Sequence, residues 1–290
     1  MCKKFRMMTL PGMLLVLLLA FSSELFSQTG DSVRSRRVYV GIGFGPAQSQ
    51  ITNNGIGAIA GLVSGKVNTL DESVEIGYFV SRYLGASVGI GFSTFRTKLS
   101  LDSYQNKFST VDTEKESYEM RVTGTALKEE QKIGYLNVPV CLNLRIPLTS
   151  ALGFFLQPGL SLSIPVVKSL QATGTFTYKG YYPAYNVILQ DLPAYGFESN
   201  KATAGSGSLN ISKFTVLATA SAGFDLYLQK KVQLALSVCY SKSLSQISDY
   251  APSSTFQLSK AVGNLSSMME GSSTATIQSV GCYVKIRYYF

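Results

Sequence analysis

The chain has 290 residues, a net charge of +9, only 15% charged residues and no histidine. Ordinary soluble domains carry roughly a quarter charged residues; here Ser, Thr, Tyr, Phe and Gly take that share, which is strand and turn chemistry. The missing histidine excludes Ser-His-Asp and Cys-His catalysis, and basic residues too scattered to track a phosphate backbone argue against a nucleic-acid partner despite the sequence pI near 9.3.

Residues 1–27 read as a signal peptide. Lys3, Lys4 and Arg6 precede the apolar stretch Met13 to Phe21, too short for a membrane helix, and Ser22, Ser23 and Ser27 are small residues suited to cleavage, placed after Ser27. Cys2 precedes the apolar stretch, so it is not placed to carry lipid. Residues 28–37 are expected as a short periplasmic segment and 38–290 as the folded domain. No other stretch is long and apolar enough for a membrane helix, so integration would have to use strands whose backbone groups pair among themselves.

Eight segments then alternate apolar and polar residues with a period of two, the signature of strands with two different faces. They are Val38–Gly45, Ser73–Val80, Leu84–Thr94, Ile133–Ile146, Leu152–Ile164, Phe214–Leu228, Val232–Tyr240 and Val280–Phe290. Second joins third across Ser81–Tyr83, fourth joins fifth across Pro147–Ala151, and sixth joins seventh across Gln229–Lys231. The other connections are long: Pro46–Glu72, Lys98–Lys132, Pro165–Lys213 and Ser241–Ser279. Short turns on one side and long loops on the other describe an all-β, antiparallel, up-and-down transmembrane barrel of about eight strands, with short periplasmic turns and long extracellular loops. Ten strands would follow if part of Pro165–Lys213 entered the membrane, and the inner part of Lys98–Lys132 could prolong its strands as a hairpin. On the apolar face, Phe44, Phe92, Phe214 and Tyr240 lie near the long-loop end, and Tyr78, Phe154, Phe224, Tyr288 and Phe290 near the short-turn end. Two aromatic girdles suit two lipid–water interfaces.

At the fourth strand the run Gly134-Tyr135-Leu136-Asn137-Val138-Pro139-Val140 resembles the "tyrosine, apolar, polar, apolar, proline" strand of the PorT-like outer-membrane β-barrel family. The ending Val284-Lys285-Ile286-Arg287-Tyr288-Tyr289-Phe290 looks like the C-terminal strand that outer-membrane barrels offer to their assembly machinery. The resemblance covers about half of the mature chain and is architectural. It implies an outer-membrane location and, for some members, association with protein secretion. It supplies no catalytic residue.

Gly41, Gly43 and Gly45 lack the spacing of a nucleotide-binding loop, and no helical pattern follows; they fall on the inner face, where a narrow barrel needs small residues. Mature cysteines number three, Cys141, Cys239 and Cys282, which is no disulfide framework. Cys239 and Cys282 fall on opposite faces of neighbouring strands and cannot share a metal. Asp102, Asp112, Glu114, Glu116 and Glu119 cluster in one loop at no calcium-loop spacing. No catalytic residue, cofactor or metal site is expected.

Two sets remain as candidates. Glu75, Arg145, Asp225, Lys285 and Arg287 map to the inner face, where buried charges must pair or bear a desolvation cost of several kcal/mol; they read as an interior charge network or, alternatively, as a polar conduit. Tyr178, Tyr181, Tyr182, Tyr185 and Tyr195 sit in the long loop Pro165–Lys213, as a recognition surface or as packing over the barrel mouth. The expectation is a monomeric, non-enzymatic outer-membrane barrel with a structural, binding or secretion-associated role, in contact with outer-membrane lipid and with the assembly machinery through Phe290, its extracellular ligand unspecified. The alternatives are a soluble secreted β-sandwich of adhesin type and a small-solute pore.

Overall fold

The computed structural model describes residues 37–54, 63–249, 257–271 and 274–290. The signal segment 1–27, and 28–36 of the next segment, lie outside the described residues. Ten strands follow in chain order: β1 Val38–Asn54, β2 Val63–Phe79, β3 Leu84–Val111, β4 Ser117–Pro147, β5 Leu152–Tyr182, β6 Val187–Leu189, β7 Lys201–Gly207, β8 Thr215–Tyr227, β9 Val232–Ser243 and β10 Thr274–Tyr289. Two single 3-10 turns, Pro193–Tyr195 and Met268–Gly271, are the only helical elements among the described residues.

Eight of these strands close a ring. The antiparallel order runs β4-β3-β2-β1-β10-β9-β8-β5, and β5 returns to pair with β4. The short β6 and β7 pair with β5 outside the ring. A closed ring has no free edges, which sets it apart from the expected alternative of a two-layer sandwich, and the possible ten-stranded ring is not formed. Its outer surface carries a belt of exposed large apolar side chains on every ring strand, including Ile76, Ile90, Val140, Leu160, Phe224, Val238 and Ile286. Such a belt on a soluble protein would be an aggregation surface; on a barrel it meets lipid. Of the nine expected girdle residues, Phe44, Phe92, Phe214, Tyr240, Tyr78, Phe224 and Phe290 are exposed, while Phe154 and Tyr288 are half-buried.

The three short turns are built alike. Val80, Leu148 and Leu228 donate their N–H to the carbonyls of Leu84, Leu152 and Val232, at 2.9, 2.9 and 3.0 Å. In the first two turns a hydroxyl accepts two backbone N–H groups. Ser81 Oγ takes those of Tyr83 and Leu84, and Thr149 Oγ1 those of Ala151 and Leu152. This local side-chain capture is what Ser and Thr do at turns.

Lys98–Lys132 prolongs its strands as the expected hairpin; the correction concerns the other long connections. Much of Pro46–Glu72 and Pro165–Lys213 is strand. β3, β4 and β5 run on past the belt and form a three-stranded tip, with the turn at Asp112–Glu116. The face pattern breaks on the way up. Leu101 pairs with Leu127 and Ser103 with Thr125, so Asp102 and Ala126 stand unpaired between them; Ala126 adopts φ +53. One residue inserted in each strand switches which parity faces inward, which hides the strand signal from a single-period reading.

The inside is filled at four levels. At the short-turn end Tyr39, Phe79 and Tyr289 cluster with Tyr227. Polar groups occupy the middle. Above them Ile51, Phe95, Ile133, Tyr135, Leu217 and Ile277 line the wall and meet Leu209, Ile211, Ile247 and Met269 from the connections. Higher still, Leu258 and Met268 pack on the concave face of the tip, against Leu99, Tyr104, Val122, Phe176 and Tyr178. The described residues 257–271 of the β9–β10 connection therefore fold back over the mouth as an internal plug.

Candidate functional site

Two regions hold the candidate residues, the mid-barrel lumen and the tip. In the lumen, β2 and β10 both neighbour β1, and their inward residues converge over the small inner face of that strand. Glu75 Oε2 is 3.0 Å from Lys285 Nζ, and Glu75 Oε1 is 3.1 Å from Arg287 Nε. Gln157 of β5 reaches across. Its Nε2 donates to Glu75 Oε2 at 3.1 Å, and its Oε1 accepts from Lys285 Nζ at 2.9 Å. The Arg287 guanidinium lies 5.1 Å from the centroids of both the Tyr39 and the Phe155 rings, a cation–π environment for a buried charge.

Arg145 and Asp225 form a second, separate pair. Arg145 Nε is 2.8 Å from Asp225 Oδ2, its Nη2 is 2.9 Å from Oδ1, and its Nη1 donates to Tyr227 Oη at 2.7 Å. The structure thus gathers the five expected interior charges into two groups, one threefold and one twofold. Gly41 is what lets the first group fit: a Cβ there would sit 3.1 Å from Glu75 Cγ and 3.2 Å from Arg287 Cγ. Sequence reading missed a sixth inward charge, Asp71, because the second strand was begun at Ser73. Two steps of the same period back from Glu75 reach it.

Above the charge layer is a cavity of about 130 Å³ bordered by Asp71, Asn137, Cys141, Ser161, Cys239 and Tyr283. It lies between the ion pairs and the apolar plug. Cys141 and Cys239 are inward, whereas Cys282 is exposed. No group of three or more His, Cys, Asp or Glu residues among the described residues is arranged to hold a metal ion.

At the tip the five candidate tyrosines separate. Tyr178 and Tyr182 are buried, which removes them from any exposed recognition surface. Tyr178 Oη lies 2.7 Å from Ser259 Oγ of the plug, and Tyr182 Oη donates to Asp112 Oδ2 at 2.9 Å. Tyr185 and Tyr195 are exposed; Tyr185 Oη donates to Glu116 Oε1 at 2.8 Å. Tyr181 is half-buried under the Arg121 guanidinium, 4.3 Å from its ring centroid. The five tyrosines therefore divide, Tyr178 and Tyr182 packing inward while Tyr185 and Tyr195 are exposed.

One buried acid at the tip went unnoticed in the sequence. Glu129 Oε1 accepts from Gln131 Nε2 at 2.6 Å and from Ser267 Oγ at 2.9 Å, and its Oε2 accepts from the Met268 N–H at 2.7 Å. It ties the plug to β4. Burial pushes its carboxyl above the usual range, and the three donors only partly oppose that. The Asp112 carboxylate at the turn is held below its ordinary value, chiefly by the Glu116 N–H. Glu129 keeps the inward parity of Tyr135, three steps of two along β4, and was missed because the fourth strand was begun at Ile133.

Residues 26–249 match the family described as "Outer membrane protein beta-barrel domain", and the chain belongs to that family. Among solved structures it is similar to Neisserial surface protein A, at 10% identity and a TM-score of 0.39, over 90% of this chain and 100% of that one. It is also similar to the outer membrane protein OprG from Pseudomonas aeruginosa, at 14% and 0.39, over 90% and 99%. The attachment invasion locus protein Ail of Yersinia pestis aligns at 10% and 0.29, over 87% and 98%. No curated protein sequence matches the chain.

Proposed function

We propose, from that family membership, that the chain is exported by its 1–27 segment, inserts in an outer membrane as a monomer, and acts there as a closed, non-enzymatic barrel that displays a binding surface. One observation carries this reading: the lumen is blocked at two levels while β3, β4 and β5 continue as ordered structure beyond the belt. The Glu75–Lys285–Arg287 layer blocks the middle. The plug built on Met269 and Ile211 blocks the mouth. β3 alone runs 19 residues beyond Phe92, about 60 Å of extended chain. A solute pore, the competing expectation, would need both layers displaced.

The finer assignment is proposed on the same footing. The Gly134–Val140 run supports placement among PorT-like barrels, and the outward Phe290 closing β10 supports handover to the assembly machinery. Between a binding and a secretion-associated role, the filled lumen favours binding, since nothing is left open for a passenger.

The test is planar-bilayer recording of the full chain purified from outer-membrane fractions, with gel mobility before and after boiling. A heat-dependent mobility shift with background conductance is expected. Stable single-channel currents would defeat the closed-barrel reading.

A further inference from the structure

Register at the tip sets three cations side by side. Lys107 of β3 is the cross-strand partner of Arg121 of β4, and Arg121 of Lys179 of β5. All three point outward, since the flanking Val122 and Tyr178 face the buried interior. Like charges directly opposite one another destabilise a sheet. A single carboxylate tempers the row: Glu119 lies 2.8 Å from Arg121 Nε and 3.9 Å from Lys107 Nζ. Among the described residues Lys179 makes no ion pair.

A groove opens beside this row. Arg121 and Lys179 form one end, Thr123 and Thr177 the next row of the floor, and the corner Ser199–Asn200 a wall. The corner is fixed in place. Asn200 holds φ +52, a left-handed conformation, and its N–H donates to Thr177 Oγ1 at 3.0 Å. Stacking on Tyr181 orients the plane of Arg121, and the bond to Glu119 uses Nε, leaving the terminal nitrogens for another acceptor. The other acid on this wall, Glu198, is 2.7 Å from Lys201 Nζ.

We infer that this groove binds sulfate or phosphate esters carried on a saccharide. Arginine offers oxyanions a planar fork, and lysine adds a mobile point charge. The hydroxyl and amide groups of Thr123, Thr177, Ser199 and Asn200 suit sugar hydroxyls. Ile188 of β6 is the one apolar side chain in the lining; the other six residues are charged or polar. Position argues against the barrel's own lipid as the source. Lys107, Arg121 and Lys179 each stand 15 residues along their strands from Phe92, Leu136 and Ile164 at the edge of the belt, about 50 Å of chain. The ligand therefore comes from outside. The inference rests on the closed-barrel reading, which makes the tip the working surface.

The experiment titrates the full-length, detergent-folded protein calorimetrically with short-chain dextran sulfate, dextran phosphate and unmodified dextran, at about 0.15 M salt. Both esters are expected to bind and unmodified dextran is not. Their relative affinities separate sulfated from phosphorylated sources. Lys179→Gln and Arg121→Gln should each weaken ester binding about tenfold, and Arg121→Lys should fall between, because it keeps the charge and loses the fork. Lys128→Gln, an equal charge change on the outward face of β4 away from the groove, should stay within about twofold. Any variant without the heat-dependent gel shift is set aside, and Lys179→Gln then decides. Equal binding of unmodified dextran, or an equal loss in Lys128→Gln, would overturn the site. Either result leaves the conductance test untouched, so failure of the groove and failure of the closed barrel are told apart.

Discussion

Arg287 Nε lies 3.1 Å from Glu75 Oε1, and both side chains are more than nine-tenths buried in the middle of the barrel. That pair, with Lys285 on the other carboxylate oxygen, makes Glu75 the single acid answering two buried cations. Glu75→Ala leaves both uncompensated. Breaking a buried pair from one side costs about 3–5 kcal/mol, so the urea midpoint of the folded, heat-shifting species should drop sharply. Glu75→Gln keeps the shape and should drop less. An unchanged midpoint in Glu75→Ala would refute the assigned role of the layer.

Gly77 faces the ring of Tyr39 so closely that a Cβ there would overlap the ring atoms. Gly77→Ala should therefore displace Tyr39 from its stack on Tyr289, whose centroid is 5.4 Å away, and from the Asn143 Nδ2 donor at 3.0 Å. Overpacking of this size costs about 1–3 kcal/mol. The readout is again the urea midpoint, with Gly65→Ala for comparison, since a Cβ there would meet only the Lys98 carbonyl oxygen at 3.6 Å.

Glu129 gives a pH dependence with a definite sign. Its carboxyl is raised above the ordinary glutamate range in the folded state. Its contribution to stability is therefore present in acid, below the unfolded value, and is lost as pH rises through the folded one. Because it holds Ser267 and Met268, the effect appears at the plug. Protease should cut the 257–271 segment more slowly at pH 4 than at pH 8. Glu129→Gln should cut at a rate that does not change with pH. Faster cutting of the native chain in acid would contradict the sign.

The two blocking layers act independently. Replacing Met268 and Met269 by Ser should loosen the mouth and accelerate proteolysis of the plug, yet conductance should stay at background, because the charge layer beneath is intact. Combining that change with Glu75→Ala should admit small ions. Conductance from the methionine variant alone would show that the mid-barrel layer does not seal.

Much of this was legible in the sequence wherever a strand kept one period. Glu75, Lys285 and Arg287 fell on one face by parity alone, and the short turns at Ser81 and Thr149 announced themselves by composition. What stayed hidden lay beyond a break in that period. The insertions at Asp102 and Ala126 reverse the faces, so the inward stripe of the tip, Tyr104, Tyr118, Met120 and Val122, could not be assigned without pairing. The fates of Tyr178 and Tyr182 were equally out of reach, because burial there depends on Ser259 and on the turn at Asp112, distant in sequence. The row Lys107, Arg121, Lys179 exists only through register between three strands.

The plug sits in a telling place along the chain. Residues 257–271 come immediately before β10, and β10 closes the ring by pairing with β1, joining Val40 to Tyr288. Contacts that distant in sequence form late and slowly. The wall that receives Leu258 and Met268 belongs to β3, β4 and β5, all made earlier. The last strand to zip thus arrives with the stopper already tethered to its leading end, and sealing becomes part of finishing assembly. A barrel wired in this order has little opportunity to stand open in the membrane.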